Sequence, residues 1–390
     1  MALDFDNARL HNPHLTIEHE QWRDQLRKFI DAEISPYANQ WDEDGHIPDD
    51  LWPKAGAMGI LGLGYPEDVG GTSEGIDLWH LNILNEEMSR FGAGGVSSTL
   101  LVHCIGLPPV INFASTKLCS EIAPQVISGQ KRISLAITEP DAGSDVAQIS
   151  TTAVRDGNSY IVNGSKTYIT GGMNANWLTT AVRTGGEGGG GVSVLVIPTD
   201  LTGVDRTPLD KKMGWWSGDT ATIYFDNVKV PAANLLGEEN QGFKVIMRNF
   251  NSERMTMAAS MEAYSRVCLE EAVNWAQQRK TFGKRLADHQ VIRHKIAEMK
   301  QRINATQAYH QLCTYQVIQG ISHAGDIAML KVQASQTMEY CAREAMQILG
   351  GAGYMRGNRV ERIYREVRVN AIGGGSEEIM RDLASRQYGV

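Results

Sequence analysis

The sequence lacks several features, and each absence closes a line of interpretation. No uninterrupted apolar run approaches the roughly 18 residues that a membrane helix needs. The opening stretch carries Asp4, Asp6 and Arg9 with no apolar segment between them. Neither a membrane partner nor a cleaved leader is therefore expected. Cysteine is scarce: five residues, Cys104, Cys119, Cys268, Cys313 and Cys341, are odd in number, widely spaced and free of any C-x-x-C pair. That pattern excludes a disulfide framework or a cysteine-rich metal cluster and predicts buried free thiols in a reducing cytoplasm. Positive charge is not in excess, since 37 Lys and Arg face 45 Asp and Glu for a formal net charge of -8. A nucleic-acid partner held by a broadly basic surface is excluded on that balance. Neither GxGxxG nor GxxxxGK[ST] occurs, so the glycine-rich stretches are not read as phosphate cradles. There is no internal repeat.

What remains is an ordinary globular composition, 390 residues with 42% hydrophobic and 21% charged. At about 150 residues per domain, that length predicts two or three domains. Forty glycines against twelve prolines, without a fixed period, point to many turns and close backbone approaches rather than to a fibrous chain.

The hydrophobic period divides the chain into helical, alternating and again helical stretches. Thr16 can cap a helix with Trp22, Leu26, Phe29 and Ile30 on one face, and Pro36 ends it. Further helices are predicted over 51–58, 79–91, 96–113 and 115–129, with a glycine-punctuated loop over 59–71. Near Arg132 the period becomes alternating, with turn signals at Asp156-Gly157, Asn163-Gly164 and Gly171-Gly172 and in the glycine run 185–191. Strands are predicted over 133–137, 151–155, 159–163, 166–169, 177–183, 192–197 and 220–230, and the glycine run is read as a mobile hairpin tip. Helical periodicity then returns over 243–278, 290–320, 324–349, 360–369 and 377–386. The order α, β, α sets the predicted domains: 1–130, 131–238 and 239–390.

Several short strings are more specific. Gly62 to Gly71 reads GLGYPEDVGG, Thr138 to Asp145 TEPDAGSD, Tyr168 to Gly172 YITGG, Phe225 to Pro231 FDNVKVP, Arg279 to Gly283 RKTFG and Gln347 to Tyr354 QILGGAGY. In this order and spacing, over nearly the whole chain, they resemble the acyl-CoA dehydrogenase family. The resemblance implies an α+β multidomain fold: an N-terminal helical domain, a middle β-barrel or sandwich domain and a C-terminal four-helix bundle. It implies a homotetramer carrying FAD, an acyl-CoA substrate oxidised to a trans-2-enoyl-CoA, and an electron-transfer flavoprotein as acceptor.

It also implies residue roles. Leu135, Ile137 and Thr138 would contact the flavin ring, with Tyr168 and Thr170 on its other flank; hydrogen bonds there tune hydride acceptance. Ser144 would lie near the cofactor and the pantetheine part of the substrate. Arg279 and Thr281 would bind the FAD pyrophosphate of an adjacent protomer, for which a forked cation and a hydroxyl are suited. Gln347, Gly350 and Gly351 would approach the cofactor's adenosine side, with Gln290, Ser376 and Glu378 as further cofactor contacts. Read without the resemblance, TEP is a turn, Tyr168 a strand residue, and the remainder helix charges and a helix end.

The base departs from the commonest family pattern. Abstraction of a proton α to a thioester needs a positioned carboxylate, made effective when burial raises its pKa towards neutrality. Many members place that glutamate in an IYEGT-like string, but here Ile372 to Ile379 reads IGGGSEEI and Gly374 holds the glutamate's place. In isovaleryl- and long-chain-type members the base comes from the helix after the β domain, and Glu253 in Asn251-Ser252-Glu253-Arg254 aligns with it. Glu253 is therefore the expected base, and the Gly374 N–H an expected donor to the thioester carbonyl. Asn251, Arg254, Gly373, Gly374 and Gly375 are the expected substrate contacts. Alone, Glu253 reads as a first-turn glutamate favoured by the helix dipole. Glu377 and Glu378 are rivals that read as the acidic first turn of the last helix, capped by Ser376. The three glycines 373–375 suggest a pocket open to long, methyl-branched or terpenoid-derived acyl chains, or merely a flexible loop. A flavin oxidase or monooxygenase of similar architecture, and a catalytically silent binding protein, are the competing functions.

Overall fold

Residues 3–390, apart from the side chain of Asn249, are described by a computed structural model. The first helices are α1 (Ile17–Glu33), α2 (Ala38–Asp44), α3 (Leu51–Ala57) and α4 (Leu78–Glu87). They are followed by α5 (Gly94–Leu100), α6 (His103–Gly106), α7 (Pro108–Phe113) and α8 (Thr116–Ile127). Leu26 and Ile30 of α1 pack with Ile83 and Leu84 of α4 and with Leu100 of α5 in one core. Buried charge reinforces the α1–α4 contact: Arg23 donates from one nitrogen to Glu86 and to the fully buried Glu87, each at 2.8 Å. The helix expected over 96–113 is three short pieces. Pro108 and Pro109 have no N–H to continue the upstream ladder, so the chain restarts at α7 with proline in its first turn. Pro36 ends α1 as expected, but α2 forms directly after it, a helix the periodicity did not reveal.

The middle of the chain forms β1 (Ile133–Ala136), β2 (Thr152–Asp156), β3 (Ser159–Thr170), β4 (Trp177–Arg183), β5 (Val192–Pro198), β6 (Val204–Pro208) and β7 (Thr220–Pro231). They join in one curled sheet of order β1-β4-β2-β3-β7-β6, with β5 on β4. Asp156-Gly157 does turn, pairing Asp156 with Ser159. Asn163-Gly164 does not; β3 runs through it with a register shift against β7. A Cβ at Gly164 would lie 2.7 Å from Thr151 Cα, so glycine serves a close strand approach there rather than a turn. β6 was not anticipated, because its VDRTP is polar and edge-placed. The glycine run is tied down as well: Arg183 donates to the carbonyls of Gly186, Gly188 and Ala147.

The last part holds α9 (Gly242–Gln278), the two-residue strands β8 (Lys280–Thr281) and β9 (Lys284–Arg285), then α10 (Gln290–Ile318), α11 (Ala324–Leu349), α12 (Arg359–Ile372) and α13 (Glu377–Tyr388). Met261 and Cys268 of α9, Leu330 and Met338 of α11 and Ile363 of α12 share one core. The five cysteines are unpaired, but only Cys268, Cys313 and Cys341 are buried; Cys104 and Cys119 are half-buried, short of the full burial expected of them. Among the described residues, no single helix is long and apolar enough to cross a membrane.

Candidate active site

Two long-range contacts bring the expected base and the glycine loop together. α9 begins at Gly242, so Glu253 sits about three turns inside it. The reading of Glu253 as a first-turn residue favoured by the helix dipole is therefore corrected, since that effect fades within one turn. Its Oε1 lies 3.9 Å from where a Cβ at Gly374 would stand, so the carboxyl faces the loop. The side chain as a whole is only half-buried, yet Oε2 is closed off from solvent and, among the described residues, has no hydrogen-bond partner. Burial pushes the Glu253 carboxyl up to about 7, against the opposing charges of Arg254 and Lys331. An unpartnered carboxyl titrating near neutrality is suited to collect a proton.

Arg254, the next residue, holds the loop by its backbone. Its Nε donates to the Gly374 carbonyl at 3.2 Å, while another guanidinium nitrogen donates to Asn251 Oδ1 at 3.2 Å. Gly373 ends α12 by donating to Val369 O at 2.7 Å. Gly374 and Gly375 follow with φ of +67° and +101°. The rivals are otherwise engaged or exposed: Glu377 accepts from Ser335 Oγ at 2.7 Å and from Arg381 at 2.9 Å, and Glu378 is exposed. Ser376 does cap α13, accepting from Ile379 N at 3.4 Å.

Met257, one turn beyond Glu253, was not singled out in the sequence. A Cβ at Gly374 would come within 2.7 Å of its sulfur, so the thioether fills part of the space a glutamate would have needed. At Gly375 a Cβ would fall 2.4 Å from Met380 Cε, with a φ that only glycine adopts without strain. Gly375→Ala is expected to lower stability by about 1–3 kcal/mol, measured as the shift in denaturant midpoint; an unchanged midpoint would contradict this backbone.

A second group lies where β1 leaves the sheet. Leu135 is half-buried and Ile137 buried, and Thr138 O accepts from Thr167 N at 2.8 Å, placing the TEP segment alongside β3. One residue further along β3 the backbone of Tyr168 turns to φ +59°, within the register shift between Lys166 and Ile169. A bulge of this kind re-aims a side chain, and Tyr168 is 70% exposed rather than packed as strand filler. Thr170 is half-buried two residues on, while Ser144 is exposed in the following loop. Beneath them lies a pair that sequence reasoning passed over. Lys166 Nζ donates to Ile137 O at 3.0 Å and to Glu139 Oε1 at 2.7 Å, both side chains being buried. Burial alone would raise the Glu139 carboxyl, but Lys166 and donors from Ser150 and Thr151 hold it down at about 2.

The remaining predicted residues stand apart. Arg279 closes α9, Thr281 lies on β8 with its hydroxyl 3.0 Å from His289 Nε2, and Gln290 opens α10. Between them the β8–β9 hairpin presents Phe282, 97% exposed. Gln347 is exposed near the end of α11, and Gly350 and Gly351 are exposed just beyond it. No hydrogen bond among the described residues joins either group to Glu253 or to Tyr168.

The site is thus an α-β-α chain's carboxyl, dry at one oxygen, facing a clamped backbone loop. Comparison with known proteins gives the family. The family models for the N-terminal, middle and C-terminal domains of acyl-CoA dehydrogenases match residues 16–130, 134–228 and 240–389. Acyl-CoA dehydrogenase AFT10-1 of Alternaria alternata is 39% identical over 94% of this chain and 90% of its own length. The mitochondrial long-chain specific acyl-CoA dehydrogenase of Sus scrofa is 34% identical over 95% of this chain and 86% of its own. The crystal structure of a probable acyl-CoA dehydrogenase from Mycobacterium abscessus superposes with a TM-score of 0.93 at 41% identity, covering 96% of this chain and 99% of that one. The chain belongs to the acyl-CoA dehydrogenase family. It is an FAD-dependent oxidoreductase that dehydrogenates an acyl-CoA thioester.

Proposed function

We propose that this chain oxidises a bulky, long or branched acyl-CoA to its trans-2-enoyl-CoA with Glu253 as the base. The single observation that carries the reading is the Glu253 carboxyl, shut off from water at Oε2, without a partner among the described residues, and facing the loop where the family resemblance implies a glutamate in many members. The residues at hand fit a flavin. Tyr168 offers an outward aromatic face on strained backbone, and the β1 exit carries Thr138 beside it. Leu135, Ile137, Thr138, Tyr168 and Thr170 would hold the ring. Arg279, Thr281 and Gln290, with Gln347, Gly350 and Gly351, would serve the phosphate and adenosine end across a homotetramer contact, which suits their isolation within one chain. FAD, when bound, accepts the β-hydrogen with its electron pair.

Everything else falls to the protein. Glu253 removes the α-proton, and the Gly374 N–H stabilises the charge that develops on the thioester oxygen. A main-chain donor survives loss of the side chain, so a glycine can keep that part. Where Gly374 and Met257 replace a glutamate, the wall is made of hydrogen and a flexible thioether, which yields to branched chains more readily than a charged group would. An electron-transfer flavoprotein is the proposed acceptor, and the unpaired cysteines suit a reducing cytoplasm.

The test is anaerobic bleaching of the yellow enzyme by a panel of short, long, branched and terpenoid acyl-CoAs. Fast bleaching by bulky chains, with slow reoxidation in air, is expected; binding without bleaching across the panel would support the silent alternative. Because Glu253 must be ionised to act, the reduction rate is expected to rise with pH and level off above about 7. Below that it should fall about tenfold per pH unit. A rate flat from pH 5 to 8, a span on the order of three units, would remove Glu253 from the mechanism.

A further inference from the structure

Three glycines in a row give the loop over 373–375 no side chain with which to anchor itself, and two of them occupy left-handed backbone. Such a segment holds one conformation only if its backbone is held from outside. Three of its neighbouring carbonyls are so held. Arg254 takes Gly374 O at 3.2 Å. Lys331, about two turns into α11, takes Ala371 O at 3.2 Å and Gly375 O at 2.8 Å with the same ammonium. Ala371 lies in the last turn of α12, where carbonyls lack helical partners and the dipole favours a cation. Lys331 thus bridges the end of the helix and the far side of the loop, fixing the chord across which Gly373 and Gly374 must arch. Among the described residues, the Gly374 N–H itself has no acceptor.

Lys331 is fully buried, with Leu330, Val332 and Ala334 around it on α11 also buried. Placing an ammonium there costs free energy, and two backbone acceptors plus a helix end are what recover it. Burial pulls its pKa down to about 8, opposed chiefly by the charge of Glu377.

We propose that Lys331 is a positioning residue for the dehydrogenation: by tying Ala371 O to Gly375 O, it keeps the Gly374 N–H unpaired and turned towards the substrate's thioester oxygen, opposite Glu253. The inference rests on the catalytic reading above and adds a residue to it. Lys331 does not touch the reacting carbons and acts through the loop.

The experiment compares FAD-loaded Lys331→Met with the parent enzyme. Expected first is faster backbone hydrogen exchange over 372–376, by about tenfold or more. The infrared carbonyl band of bound enoyl-CoA, carbon-13 labelled at the thioester, should move back towards its free-solution position. Flavin reduction at saturating acyl-CoA should slow about tenfold to a hundredfold, while the Kd for the acyl-CoA stays within about threefold. A folded, FAD-loaded variant with parental exchange, carbonyl band and reduction rate would overturn the proposal. If Lys331→Met does not fold, Lys331→Gln, which leaves a donor in the same space, is read by the same three measurements. If no acyl-CoA bleaches the parent enzyme, the catalytic reading fails, and the exchange comparison still decides whether Lys331 holds the loop.

Discussion

Glu253→Gln is expected to give a yellow protein that binds FAD and acyl-CoA as the parent does but reduces its flavin about 10³-fold more slowly. Glutamine matches the carboxyl in shape and keeps an oxygen in place, so what it removes is the capacity to take a proton. Its effect on stability has a definite sign. Burial raises Glu253 to about 7 in the fold, above the ordinary glutamate value near 4.3. The native state therefore binds a proton that the unfolded chain releases over that interval, and stability contributed by this group is lost as pH rises from about 4.3 to 7. The glutamine variant lacks that slope, so its stability relative to the parent should be greater at about pH 8, above the interval, than at about pH 5, inside it. Stopped-flow reduction under anaerobic conditions and denaturation at the two pH values check both parts. Parental bleaching by the variant would end the case for Glu253.

Glu139→Gln should produce the largest loss of stability, about 3–5 kcal/mol, because it leaves the buried Lys166 ammonium without its counter-charge. The geometry explains why the damage reaches function. Glu139 accepts from Ser150 N at 2.6 Å, from Ser150 Oγ at 2.8 Å and from Thr151 N at 2.9 Å, so one carboxylate joins the TEP turn to the start of β2. Lys166 ties the same turn to β3 through Ile137 O. The segment between them, Leu135 to Thr138, is the one proposed to contact the flavin. The variant is accordingly expected to be purified with less FAD and to unfold at lower denaturant concentration. Full FAD occupancy with an unchanged midpoint would show that the pair is dispensable.

The α-β-α order, most of the strands and the long C-terminal helices were legible because they carry strong periodic signals. The failures share a cause. Asn163-Gly164 has the local chemistry of a turn, but the sheet carries β3 straight through and uses the glycine for clearance from Thr151. The stretch 96–113 has a helical period, but a period cannot register the backbone break that Pro108 and Pro109 impose. At the site, Glu253 could be named from a string and from the missing carboxylate at Gly374. Lys331 left a fainter mark, a lysine in register with the buried face of α11, and Lys166 was likewise a lysine within an alternating apolar strand. Either could have been noticed as a charge where burial was expected; neither revealed its partner, which lies 44 residues away for Lys331 and 27 for Lys166.

By itself, then, the sequence determined the order of the three parts, the chemistry available at residue 253 and its absence at residue 374. Those are properties of side chains and of local period, and they are present in any conformation of the chain. Tertiary structure alone decided that the two positions face one another, that one carboxyl oxygen is left dry and without a partner, and that two cations from separate helices hold the glycine loop. Desolvation and hydrogen-bond direction depend on what is packed nearby, and those neighbours are distant along the chain.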